Sequence, residues 1–188
     1  MSNSMNDAIV IWASGHVGKT VDNGECWDLA NRALLQAHAK TSNDLGPMGK
    51  DADYVWGDAI PLKDVQAGDI LQMRDFAVKV STTTTTSFAD GTTMTSNDWS
   101  EEDRPHHTAI VERSFGNGKV SILEQNFQNV RRVVRHDLFV SAPVRTTSTS
   151  TRTLKNPGSG KLEAATVQTQ TTIAVTGQVW AYRPSSSH

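Results

Sequence analysis

The chain has 188 residues, of which 37% are hydrophobic, and a formal net charge of −2 at pH 7. This length and composition predict one domain, residues 1–188, with a single hydrophobic core. The charge balance provides no basic field that would attract nucleic acid or an anionic membrane surface. No stretch approaches the roughly 18 consecutive apolar residues of a transmembrane helix, so no membrane span is expected.

The N-terminus and the cysteine count bear on the cellular compartment. Residues 1–7 contain no basic segment and the apolar run 8–13 is too short for a signal core, so the chain is expected to be cytoplasmic. A mature fragment, or a protein exported without a cleaved signal, would have the same features. The single cysteine excludes an internal disulfide and any zinc site with several cysteine ligands.

The N-terminal part of the chain predicts two helices followed by a loop. Asn6 or Asp7 can cap a short first helix that ends near residue 15 or 18. A second helix is predicted from Cys26 to about Lys40, because apolar residues recur there with helical spacing. The loop 41–61 carries Trp56, which is expected either to line a groove or to cover the edge of the core.

The remainder of the chain predicts strands. A turn and a strand begin near residue 65 and continue to about residue 80, and residues 108–115 and 119–127 form a hairpin around the turn 116–118. Further strands are predicted at 131–136, 166–175 and 178–184. Helices followed by an antiparallel meander indicate an α+β fold.

Two polar segments interrupt this pattern. Residues 81–104 contain five consecutive threonines, Thr82 to Thr86, and the turn signal Asp90–Gly91. Because threonine favours extended structure, we expect a projecting β-hairpin there, with a mobile loop as the alternative. The Ser/Thr-rich segment 143–165 is predicted to be a loop.

The predicted chemistry centres on Cys26. In the first turn of a helix, unpaired backbone N–H groups and the helix dipole favour a thiolate. His107 begins a strand, and Glu124 and Asn126 alternate onto one face of the next strand while Gln125 points away. Pairing across the hairpin therefore predicts a Cys–His–carboxylate or Cys–His–amide triad. The alternative is that the lone cysteine is a small core residue.

A metal site is the other chemistry that these residues could support. It would combine Cys26 with His106, His107 and Glu124, but those residues lack regular ligand spacing. We therefore expect no metal and no cofactor.

These motifs resemble the CHAP amidase/endopeptidase family, within the NlpC-like branch of papain-fold cysteine hydrolases. The matching segments are Gly24–Cys26, Ala67–Met73, His107–Val111, Glu124–Asn126 and Tyr182–Pro184. The resemblance implies a papain-like fold in which N-terminal helices pack on an antiparallel sheet. It also implies that Cys26 is the nucleophile, His107 the general base and Glu124 the residue that orients the imidazole, while Asn126 shares that task or helps to bind substrate.

The expected function is therefore cysteine-dependent hydrolysis of an amide in a peptide or in peptidoglycan. The alternatives are a papain-fold binding module without turnover, and a thiol hydrolase acting on an amide outside the cell wall. The expected substrate-binding residues are Asn23, Trp27, Trp56 and Trp99, with Asn23 also a candidate second oxyanion donor beside the Cys26 N–H. The sequence does not indicate an oligomeric state.

Overall fold

The computed structural model describes residues 4–49, 51–142 and 145–187. Within these ranges, three α-helices and one short 3₁₀ turn come before the long strands. They are α1 (Met5–Ser14), α2 (Cys26–Gln36), α3 (Ser42–Leu45) and the 3₁₀ turn Leu62–Asp64. No helix among the described residues combines the length and apolarity needed to cross a membrane.

The ends of the first two helices differ slightly from the sequence prediction. Ser4, and not Asn6 or Asp7, caps α1, because its hydroxyl accepts a hydrogen bond from the backbone of Asp7. Helix α2 begins at Cys26 as predicted but ends at Gln36, short of residue 40. His38 adopts a left-handed backbone conformation with φ of 56°, which cannot continue an α-helix.

Seven strands within the described ranges form one sheet. They are β1 (Asp58–Ile60), β2 (Ile70–Phe88), β3 (Thr93–Gly116), β4 (Lys119–Glu124), β5 (Val134–Phe139), β6 (Thr146–Lys155) and β7 (Leu162–Arg183). The strand order is β1-β7-β2-β3-β4-β5, with β6 paired to β7. The predicted meander is therefore present in β2 to β5, whereas β7 returns to lie between β1 and β2.

The two polar segments are both strand hairpins. Strands β2 and β3 run through residues 81–104 and are joined by a turn in which the Phe88 N–H donates to the Thr92 carbonyl over 2.9 Å. The prediction of a loop over 143–165 is wrong, because β6 and β7 pair in register from Thr146 opposite Thr171 to Lys155 opposite Leu162. Alternating threonine and serine side chains favour this extended structure. Residues 143 and 144 of that prediction lie outside the described residues.

The chain divides into two compact units. The first contains residues 1–77, 103–141 and 175–188, and the second contains residues 78–102 and 142–174. The second unit therefore corresponds closely to the two polar segments that stand out in the sequence.

The first unit has one cluster of buried apolar side chains. Helices α1 and α2 contribute residues such as Ile9 and Leu29, and strands β2, β3 and β4 contribute Ile70, Ile110 and Leu123. Helix α2, which begins with Cys26, thus shares its core with the two strands that carry His107 and Glu124.

Candidate active site

Cys26 is the first residue of α2, and the loop before it is tied to the helix by Asp28. One carboxylate oxygen of Asp28 accepts hydrogen bonds from the backbone N–H groups of Glu25, at 3.1 Å, and Asn23, at 3.0 Å. A carboxylate in the first turn also stabilises the positive end of the helix dipole. Asp28 therefore fixes the direction in which the chain enters the helix at Cys26.

Gln125 holds the same loop from the other side. Its fully buried amide accepts a hydrogen bond from Val21 N at 2.8 Å and donates to the carbonyls of Val21, at 3.1 Å, and Glu25, at 2.9 Å. The sequence predicts only that Gln125 points away from the strand face of Glu124 and Asn126; the structure shows that its amide binds the loop before Cys26. Strand β4 ends at Glu124 and Asn126 has a φ of 60°, so the alternation of a strand does not extend past Glu124.

His107 and Glu124 meet across the β3–β4 hairpin, as the sequence predicts. The antiparallel pairing sets Ile110 opposite Leu123, which brings the polar ends of the two strands together. Nε2 of His107 lies 2.9 Å from Oε2 of Glu124. The N–H of this nitrogen does not point along that line, so the contact is an ion pair without good hydrogen-bond geometry.

The His107 ring also interacts with the Cys26 thiol. Nε2 is the nitrogen that faces Glu124, and a hydrogen bond with the His107 ring is the first of the contacts that favour the charged form of Cys26. Burial opposes the charged form of Cys26, but this hydrogen bond, the charge of His107 and the backbone N–H groups of Thr108 and Trp27 outweigh it and lower the pKa of the thiol. The site therefore favours a thiolate.

The charge on His107 is stabilised in the same way. Burial alone would lower its pKa, but the hydrogen bond with Cys26, the close contact with Glu124 and the negative charges of both groups raise the pKa of His107 to about 9. A lowered thiol pKa beside a raised imidazole pKa describes a thiolate–imidazolium ion pair.

Glu124 has two further neighbours that the sequence pattern does not reveal, Arg104 and His136. Arg104 donates from Nε to Oε2 at 2.9 Å and from Nη2 to Oε1 at 2.8 Å, and both side chains are 0% exposed. Nδ1 of His136 contacts Oε1. Burial raises the pKa of Glu124, but the hydrogen bonds from Arg104 and the close contacts with His107 and His136 lower it well below its ordinary value. Each carboxylate oxygen thus contacts Arg104 and one histidine.

Phe127 covers this charged cluster. Its ring centroid lies 4.1 Å from the guanidinium carbon of Arg104, and the rings of His136 and His107 approach it edge-on at 5.0 and 6.5 Å. The signal that could have identified Arg104 is its place in the segment that includes His107, three residues earlier in the same strand. His136 could be placed only from the pairing of β5 with β4.

Asn126 and Asn23 lie beside the loop that leads into Cys26. The Asn126 amide donates to Oε2 of Glu25 at 2.6 Å, while Arg131 bridges Oε1 of Glu25 at 2.9 Å and the Asn23 carbonyl at 3.0 Å. The Asn126 side chain therefore binds Glu25, in the loop before Cys26. The Asn23 side chain is exposed, and its backbone N–H is already bound by Asp28.

The three tryptophans proposed as substrate contacts have different surroundings. Trp56 is 0% exposed and donates to Gln72 at 3.2 Å, so its side chain is part of the core and the expectation that it contacts substrate is wrong. Trp27 packs against it with a centroid separation of 6.3 Å and is half-buried. Trp99 is 64% exposed but lies in strand β3 within the second compact unit, and not in a loop.

Comparison with known proteins gives a family and a fold. The family model described as the AIM3/BBC1 cysteine proteinase-fold domain matches residues 1–188. A curated relative, altered inheritance of mitochondria protein 3 from Debaryomyces hansenii, is 30% identical over 148 residues, which is 72% of this chain. The match covers 14% of that relative's length.

Two solved structures show a weaker likeness. The crystal structure of Ly7917 is 20% identical, with 98% of this chain and 89% of that chain covered and a TM-score of 0.43. Ly7917 with the hydrolyzing product of MDP is 18% identical, with coverage of 94% and 80% and a TM-score of 0.45. Likeness at this level carries no argument about function. The cysteine proteinase fold is thus supported by the family match, while the narrower resemblance to CHAP and NlpC proteins is not confirmed.

Proposed function

We propose that this chain, which belongs to the AIM3/BBC1 cysteine proteinase-fold domain family, is a thiol hydrolase of papain-like fold acting on an amide outside the bacterial cell wall. One observation carries the proposal: Cys26, at the start of a helix, interacts with the ring of His107, and Nε2 of that ring lies 2.9 Å from the buried carboxylate of Glu124. A pure binding surface has no need of an imidazole beside an activated thiol.

The proposed reaction uses Cys26 as the nucleophile and His107 as the proton carrier in both of its steps. The Cys26 thiolate attacks the amide carbonyl carbon, and the His107 imidazolium gives its proton to the leaving nitrogen as the C–N bond breaks. Water then attacks the thioester carbonyl, and His107 accepts a proton from that water. The C–S bond breaks, the acid product is released and Cys26 returns to the thiolate form. The Cys26 backbone N–H at the helix start is the proposed oxyanion donor, with the exposed Asn23 amide as a second donor.

The comparisons do not identify a substrate class, and they lend no support to peptidoglycan. The matched curated relative is a yeast protein, and the likeness to Ly7917 is too low to transfer a substrate. A peptidoglycan substrate therefore has no support, and we propose a peptide-type amide. Glu25 and Arg131 are exposed charged side chains at the loop that leads into Cys26, so we propose them as candidates for contacting such a substrate.

A binding module without turnover is the second candidate. Two observations favour it: the N–H of His107 Nε2 is out of line with Glu124, and the family match identifies a fold without an activity. In this alternative the Cys26–His107 pair contributes to a peptide-binding surface, and no thioester is hydrolysed.

The test is a burst experiment with p-nitrophenyl acetate, which acylates activated thiols. We expect wild type to release one equivalent of p-nitrophenolate rapidly and then to turn over, with the acetyl group on Cys26 by mass spectrometry. Cys26→Ala and His107→Gln should lose both phases, whereas His106→Gln should retain them, because His106 contacts the Ala52 carbonyl and not the cysteine. A burst without turnover would favour the binding module, and no acylation of wild type would contradict the hydrolase.

A further inference from the structure

The carboxylate that faces His107 is itself held by a second side chain. Arg104 donates to both oxygens of Glu124, at 2.9 and 2.8 Å, in the side-on geometry of a two-point arginine–carboxylate contact. Such a contact fixes the plane of the carboxylate as well as its charge. Because Oε2 is also the oxygen that faces His107, the orientation of Arg104 decides where that oxygen points.

The surroundings leave Arg104 little freedom to adopt another arrangement. Its side chain is 0% exposed, and Phe127 packs on the guanidinium face at 4.1 Å. A lysine at this position would keep the positive charge but could not bind both oxygens from one rigid plane. Charge and orientation can therefore be separated by experiment.

The charges also alternate along the cluster. From the thiolate of Cys26 through His107 and Glu124 to Arg104 they are negative, positive, negative and positive, so each buried charge has an opposite neighbour. Isolated buried charges are costly, but an alternating chain compensates each one. Glu124 can stay ionised beside His107 because Arg104 balances it.

We propose that Arg104 is a positioning residue for the nucleophile pair: its guanidinium holds the Glu124 carboxylate so that Oε2 faces His107, and thereby maintains the Cys26 thiolate. This inference rests on the proposed function, since it concerns the same thiolate. Arg104 acts through Glu124 and does not contact the reacting atoms in this account.

The test is the rate of iodoacetamide alkylation of Cys26 against pH, measured on the full chain. The alkylation rate rises with pH as the thiol ionises, and this rising part of the profile, the reactive limb, gives the apparent pKa of Cys26. We expect Arg104→Lys to raise that apparent pKa by about one pH unit or more, which is the usual effect of a displaced charge partner. Arg135→Lys is the matched control, because Arg135 makes the same kind of two-point contact with Glu112 at a half-exposed site. It should leave the limb unchanged. A structural defect alone would lower stability without moving the limb.

A second variant covers the case in which Arg104→Lys does not fold, as judged by circular dichroism. Phe127→Leu retains the hydrogen-bond partners of Glu124 but removes the ring that lies 4.1 Å from the guanidinium carbon of Arg104 and, farther away, 6.5 Å from the ring of His107, so the apparent pKa should shift in the same direction by a smaller amount. If Arg104→Lys folds and the apparent pKa of Cys26 is unchanged, the inference is overturned. If only Phe127→Leu folds, an unchanged apparent pKa in that variant overturns it. An equal shift in Arg135→Lys would also overturn it. A wild-type limb at the ordinary thiol position would instead contradict the proposed function.

Discussion

Nε2 of His107 and Oε2 of Glu124 lie 2.9 Å apart, and their side chains are only 6% and 0% exposed. A carboxylate in this position is expensive to bury unless opposite charges lie beside it, and the charges of Arg104 and His107 do so. The same contact raises the pKa of His107 and so stabilises the imidazolium that the Cys26 thiolate needs. Stability and reactivity should therefore depend on the same few atoms.

Glu124→Gln should be strongly destabilising. The variant leaves the fully buried Arg104 without its counter-charge, and breaking a buried pair costs about 3–5 kcal/mol. Urea unfolding at neutral pH measures this cost.

Glu112→Gln is the matched control for that measurement. Glu112 also binds an arginine, Arg135, but that arginine side chain is 49% exposed, so the loss should be about 1 kcal/mol or less. Equal costs for the two substitutions would contradict the account of Glu124 as a buried, charge-compensated carboxylate.

Acid should weaken the fold through Glu124. Its folded-state pKa is lowered from the ordinary value, although burial opposes this, because Arg104, His107 and His136 bind the carboxylate. The stability that Glu124 contributes is therefore present above the unfolded pKa of about 4.3 and is lost as pH falls from there towards the folded value.

The measurement is the free energy of unfolding in urea between neutral pH and pH 3. Wild type should lose stability below about pH 4.3 more steeply than Glu124→Gln, which has no carboxyl to protonate at this position. Parallel pH profiles for the two proteins would show that Glu124 is not the group responsible.

Gln125→Leu should loosen the loop in front of the nucleophile. The substitution leaves Val21 and Glu25 without the three hydrogen bonds made by the buried amide, and each unsatisfied group costs about 1–3 kcal/mol. Gln66→Leu is the control, because Gln66 is exposed and should change stability by about 0.5 kcal/mol or less. Denaturant unfolding of both variants checks this, and a Gln125→Leu protein as stable as the control would contradict the assigned role.

Truncation to alanine should destabilise the protein much more at Trp56 than at Trp99. Trp56→Ala opens a cavity in the core and should cost about 3–5 kcal/mol, since the side chain is 0% exposed. Trp99→Ala removes a ring that is 64% exposed and should cost far less. Thermal unfolding compares them, and a greater loss for Trp99 would contradict the core position of Trp56.

The sequence predicted the elements whose signals are local. The helix beginning at Cys26, the hairpin that brings His107 to Glu124, and the strands through the threonine-rich segment all follow from spacing, turn residues and β-propensity. The end of α2 was misjudged because His38 turns into a left-handed conformation, which no apolar pattern reveals. The position of β7 between β1 and β2 depends on long-range strand pairing, so local sequence patterns cannot predict it.

The candidate site was predictable in its centre and not in its surroundings. Cys26 and His107 stood out through their residue types and positions, but Arg104 and His136 look like ordinary polar residues until strand pairing directs both onto Glu124. Trp56 was misplaced because a loop residue is usually exposed, whereas this one packs beside Gln72 in the core. Roles that depend on tertiary contacts could not be read from spacing.

The most direct test of the central claim is the rate of Cys26 alkylation by iodoacetamide as a function of pH, for wild type and His107→Gln. His106→Gln serves as the control, because that neighbouring ring contacts the Ala52 carbonyl. The account predicts a reactive limb in wild type and in the control well below the ordinary thiol pKa of about 8.5, and its loss in His107→Gln. An ordinary thiol profile in all three proteins would contradict the thiolate–imidazolium pair, and with it the proposed hydrolase.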